Sequence, residues 1–153
     1  MNWKHTLILA IGISGTTSAS MAQSNNADPV TGFVYTESNL ADNSVLVFDR
    51  AADGALSLAA TVPTGGAGGG VVSVGSQGEL AVSQSRQYVF AVNEGGNSVS
   101  VLKRTAAGLT AVGTVSSGGA LPVSITVSGN LVYVLNAGDC QESCVRGRLR
   151  HHA

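Results

Sequence analysis

Glu37 and Glu94 are the carboxylates whose placement could serve acid–base work. Each falls where the first strand of a repeated segment is expected to end, at nearly equivalent places in the two copies. Two carboxylates on one cleft can divide the duties of hydrolysis. One protonates a leaving oxygen while the other takes a proton from water. The plainer reading makes them solvated turn residues, and Asp49, Arg50 and Arg86, also near strand ends, share that ambiguity. Other chemistries find less support. No serine stands in a G-x-S-x-G context and no histidine occurs between His5 and His151, which excludes a Ser-His-Asp arrangement in the body of the chain. Lys103, the sole lysine after Lys4, sits at a strand end and is a weak candidate for a base. The run Gly65 to Gly70 invites a phosphate cradle, but neither a helix pattern nor a lysine follows, so it reads as a flexible loop. Cys140, Cys144, His151 and His152 crowd the last residues. An exported chain permits a disulfide there, but zinc needs ligands on a folded frame and this tail shows none. These four read as incidental, and no metal or cofactor is expected.

The elements that must position these residues are short strands. Of the 153 residues 44% are hydrophobic and only 11% charged, about half the usual charged share. Val, Ala, Ser and Thr abound beside 20 glycines, a profile that favours strands and turns, since β-branched residues and glycine weaken helices. Tyr88–Asn93 is an apolar run, Gly95-Gly96-Asn97 a turn, and Ser98–Leu102 an alternating strand. Thr105–Gly108 turns again into Leu109–Val115. The same layout appears upstream as Phe33–Glu37, Val45–Asp49 and Leu56–Val62, where Ala52-Asp53-Gly54 is a hairpin signal. Asn43-Ser44-Val45 matches Asn97-Ser98-Val99, and Gly54 matches Gly108 at the same spacing. Glu79–Ser83 and Pro122–Val127 read as lead-in strands, and Leu131–Leu135 opens a third copy. Asn39, Asn93, Asn97 and Asn136 recur with the repeat, where asparagine tolerates left-handed backbone and caps turns. Four strands at a period of roughly 40 to 45 residues are the mark of propeller blades.

The words FVYT, YVFAVN, LVYVLN, NSVLVF and NSVSVL resemble the YVTN-type repeats of seven-bladed β-propellers, in particular the lactonase-type family. The likeness runs from Gly32 to about Gly138. It implies an all-β chain, a partial β-propeller of about two and a half four-stranded antiparallel blades across residues 32–138. It also implies hydrolysis of a sugar-type lactone, of the 6-phosphogluconolactonase kind, as the nominal activity. A channel site needs a closed ring, so that activity is expected to be absent from so short a set of blades. The alternative is a non-enzymatic YVTN-repeat module for binding or surface interaction.

The two ends differ from the body. Residues 1–22 read as a signal peptide: Lys4 and His5, the apolar run Leu7–Ile13, then Ser20-Met21-Ala22 as a cleavage site. The run is too short for a membrane anchor, which needs about 20 residues, and the expectation is a periplasmic or extracellular protein. Residues 23–31 read as a flexible N-terminus. Residues 139–153 form an unrelated basic tail, read as disordered and as the product of a lost frame or a cut gene, with a native tail as the alternative. A net charge of -1 gives no case for nucleic acid or an anionic membrane, and 5% aromatics argue against base stacking. The remaining partners are a small-molecule lactone and other copies of the chain. Open blade faces forfeit about 1.5 to 3 kcal/mol per uncovered large apolar side chain. Such a chain is expected to be marginally stable or aggregation-prone unless copies complete one another.

Overall fold

A computed structural model describes residues 29–70, 78–138 and 148–150. Among them occur ten strands and no α-helix, and so, among the described residues, no helix long and apolar enough to cross a membrane. The first sheet holds β1 (Val30–Glu37), β2 (Ser44–Ala51) and β3 (Leu56–Pro63), in that order. The middle sheet holds β4 (Leu80–Val82), β5 (Tyr88–Asn93), β6 (Ser98–Thr105) and β7 (Gly108–Ser116). The last holds β8 (Pro122–Ser128), β9 (Leu131–Asn136) and β10 (Arg148–Arg150). Every pairing is antiparallel. These are consecutive sheets of a partial propeller, although only the middle one shows four strands among the described residues.

Period-two alternation decides how the sheets stack. On β5, Val89 and Ala91 face the first sheet, where with Leu102 they pack on Val45 and Val47. Phe90 and Val92 face the other way and join Val99 against Ile125, Val132 and Val134. Strand β5 is therefore buried on both faces, which explains why YVFAVN reads as a continuous apolar run. The outer strands β3 and β7 remain largely exposed. Each carries one extra residue, Ala59 and Val112, where the register to β2 and β6 shifts at matching points of the repeat.

The tail departs in part from its sequence reading. Arg148–Arg150 pairs with Tyr133, Val132 and Leu131, in the third place of the last sheet, so the expected disorder does not extend to those three residues. Cys140, Cys144, His151, His152 and the segment read as a signal peptide lie outside the described residues.

A buried polar joint ties the first two sheets together. Asn93 Nδ2 donates to Ser100 Oγ (2.8 Å) and Ser98 Oγ (3.1 Å). Its Oδ1 accepts from Thr64 Oγ1 (2.8 Å) and Asn43 Nδ2 (3.1 Å). Ser100 Oγ donates in turn to the Thr64 carbonyl. Asn93, read from sequence as a turn residue, is the hub of this network. Between the middle and last sheets the theme recurs: Asn136 Nδ2 donates to the Ser117 carbonyl, and the Ser117 amide to the Asn97 carbonyl. Truncating Asn93 leaves several buried groups unpaired at about 1–3 kcal/mol each. Asn93→Ala is expected to cost about 3 kcal/mol or more, read as a lower urea midpoint, whereas Asn97→Gly, which suits the left-handed backbone (φ 49°) and loses only the exposed bond from the Leu121 N–H to Asn97 Oδ1, should cost about 1 kcal/mol.

Candidate active site

Strand direction sorts the charged residues into two ends. β1 runs from Val30, and its early residues Gly32 and Phe33 lie opposite Arg50 and Asp49. Tyr88, at the start of β5, lies opposite Lys103. The side chain of Arg104 donates to the Arg86 carbonyl at 3.2 Å and stacks 5.2 Å above the Phe33 ring. A cleft of about 690 Å³ opens at this end, lined by Phe33, Val82, Arg86 and Arg104 among others, with no carboxylate in its wall. Asp49, Arg50 and Arg86 are thereby separated from Glu37, the last residue of β1 at the opposite end.

Glu37 and Glu94 do come together, but not as equivalents. Glu37 pairs with Val45, and the matching Val99 pairs with Val92, so Glu37 occupies the place of Val92 in the repeat. The counterpart of Glu94 is Asn39, and these two touch: Asn39 Nδ2 donates to Glu94 Oε2 at 3.3 Å. A third carboxylate, Glu79, completes the group and receives a bond from the same amide at 3.5 Å. Sequence reading placed Glu79 only at the head of a lead-in strand. Its position follows from β4 pairing with β5, where Val92 N–H donates to the Glu79 carbonyl. The recurrence of a lead-in strand before each copy was the one available signal.

The glycine run explains how Glu94 is confined. Residues 65–70, read as a flexible loop, form a packed crossover between the first two sheets. Gly68 N–H donates to the Leu40 carbonyl, Gly70 N–H to the Asn39 carbonyl, and Gly69 N–H to Asn39 Oδ1 at 2.7 Å. A Cβ on Gly69 would collide with Glu94 Oε2, and one on Gly68 with the backbone of Asn39 and Leu40. Glycine is required because the backbone runs against the carboxylate. Glu94 is only 2% exposed beneath it.

Glu37 and Glu79 face a cleft of about 250 Å³, shared with Tyr35, Thr36, Gly78 and Leu80. Burial first, then the charge of Glu79 and a hydrogen bond shared with it, push the Glu37 carboxyl up to about 9; Glu94 adds to this and Asn43 opposes it. Burial also raises Glu79, countered by the hydrogen bond from Glu37 and reinforced by the charge of Glu94. Glu37 Oε1 accepts from Asn43 Nδ2 at 3.5 Å, and the protonated carboxyl shares its other hydrogen bond with Glu79. At neutral pH the site thus holds a protonated carboxyl beside a second, more exposed one, an arrangement able to give and take a proton. Among the described residues no group of three or more His, Cys, Asp or Glu is placed to hold a metal ion.

Because the folded state keeps a proton on Glu37 that the unfolded chain releases near 4.5, stability falls as pH rises from about 4.5 to about 9. Glu37→Gln is expected to flatten that slope, raising the denaturation midpoint at pH 8 while leaving it nearly unchanged at pH 4.

Comparison with known proteins agrees with this architecture. The family described as lactonase, 7-bladed beta-propeller, matches residues 26–144. A crystal structure of a functionally unknown protein from Desulfotomaculum acetoxidans DSM 771 is similar in fold, with a TM-score of 0.56 and 22% sequence identity. That similarity covers 78% of this chain and 39% of the other, so this chain spans well under half of that protein's length. No curated protein matches the sequence.

Proposed function

The chain belongs to the lactonase family of seven-bladed β-propellers, and on that premise we propose that its carboxylate cluster is the acid–base part of a site that hydrolyses a sugar-type lactone. The observation that carries this reading is the pairing of Glu37, held protonated to about 9, with Glu79 across one small cleft. Water attacks the lactone carbonyl as Glu79 takes its proton. The ring C–O bond then breaks as Glu37 protonates the departing oxygen, leaving the open-chain hydroxy acid. Glu94, beneath Gly69, acts through its charge, which helps to keep the proton on Glu37. Asn39 orients both Glu79 and Glu94 through one amide.

The cleft is lined by Tyr35, Thr36 and Glu37 from the first sheet and by Gly78, Glu79 and Leu80 at the start of the middle one, and because a channel site needs a closed ring, turnover by these sheets alone is expected to be slow. The assay follows glucono-δ-lactone opening above its spontaneous rate. Slow hydrolysis that drops at least tenfold in Glu37→Gln and Glu79→Gln supports the assignment. Equal rates for the wild type and both variants would sink it and favour the non-enzymatic reading, a repeat module that binds without turnover.

Export is the second part of the proposal, supported by Lys4, the apolar run Leu7–Ile13 and the small residues Ser20 and Ala22. Expressed in a bacterial host, the mature chain is expected outside the cytoplasm with Gln23 at its N-terminus. An uncleaved cytoplasmic product would exclude it.

A further inference from the structure

Both joints between sheets use the same two surfaces. The first sheet presents Tyr35, Val45 and Val47 to Val89, Ala91 and Leu102 of the middle sheet. The middle sheet presents Phe90, Val92 and Val99 to Val132 and Val134 of the last. One presenting surface and one receiving surface therefore recur, and the strand register shows where each is exposed among the described residues. On the first sheet the receiving row, equivalent to Val89 and Leu102, is Val34 opposite Phe48, continued by Leu58 opposite Phe48 on β3. Val34 is 37% exposed and Leu58 59%. On the last sheet β9 turns Val132 and Val134 inward, and the residues between and beyond them, Tyr133 and Leu135, face outward. These are the counterparts of Phe90 and Val92, and they are 39% and 37% exposed.

We propose that the chain associates head to tail with a second copy of itself, the Tyr133–Leu135 row of one copy covering the Val34–Phe48–Leu58 row of the next. The two internal joints are the argument. Each already shows a surface of this residue pattern seated on a surface of that pattern, built from the same repeat. Rows of exposed apolar side chains on one sheet face mark interaction sites. The two rows differ from each other, so the contact is heterologous: it leaves one free row at each end and admits further copies. The polar joint is not reproduced between copies. Ser38 stands where Asn93 stands in the middle sheet, and its hydroxyl is already bonded to Asn43 Oδ1 at 3.4 Å. The contact is apolar and reversible.

Sedimentation of the purified chain is expected to show a mass that climbs from one copy to two and more as loading concentration rises. Leu58→Glu and Tyr133→Glu each block one row and should each sediment as monomers. Mixed in equal amounts they should form a dimer and nothing larger, because each variant keeps the row that the other needs. Hydroxyl-radical footprinting of the wild type should show concentration-dependent protection of Tyr133 and Leu58, a readout that stands even where a variant fails to fold. A wild type that stays monomeric overturns the proposal. So does association without protection at those two residues, or a mixture of folded variants that fails to pair.

Discussion

The side-chain amide of Asn93 is the point on which the first two sheets depend. A buried amide has two donors and a carbonyl to satisfy, and every one left unpaired costs free energy. Its donors go to Ser98 and Ser100, and its carbonyl accepts from Asn43 and Thr64. Apolar contacts between Val45, Val47, Val89 and Leu102 would tolerate some sliding, because dispersion and burial are weakly directional. The hydrogen bonds do not, and so they set the register of one sheet on the other.

That register has a chemical consequence. Once Thr64 is pinned, the chain must cross to the middle sheet over Asn39 and Glu94, with room there for backbone only. Gly66, Gly68 and Gly69 meet that requirement. The crossover in turn fixes the Asn39 amide, whose Oδ1 takes the Gly69 N–H and whose Nδ2 reaches two carboxylates. Three acidic groups are thereby held at one end of the strands, while Arg50, Arg86, Lys103 and Arg104 lie at the other. Burial, with the charges of Glu79 and Glu94 nearby, keeps the proton on Glu37 into the alkaline range. Stability therefore falls as pH rises above about 4.5.

Much of this was legible in the residues. The strand pattern of the body, its two hairpin turns and the propeller layout follow from alternation and from Gly/Asn punctuation, both local properties. Glu37 and Glu94 lie at nearly equivalent places in the repeat, and the structure offsets them by two positions. Two positions separate the end of β1 from the turn that holds Glu94, and only the cross-strand partners Val45 and Val99 reveal the offset. Glu79 escaped notice because its proximity depends on β4 pairing with β5. Gly65–Gly70 was read as flexible because glycine looks alike in a loose loop and in a tight one.

By itself, then, the amino-acid sequence determined what each segment is: which runs are strands, where they turn, and which face of each is apolar. Those properties are set within a few residues by side-chain shape and backbone freedom. The tertiary structure alone decided what each segment meets. It made Asn93 a hub instead of a turn former, pressed glycine backbone onto Glu94, and joined Glu79 to Glu37. It also placed Arg148–Arg150 against β9. The protonation of Glu37 belongs to this second class. It arises from burial and neighbouring charge, and neither exists until three separate stretches of chain close on one small volume.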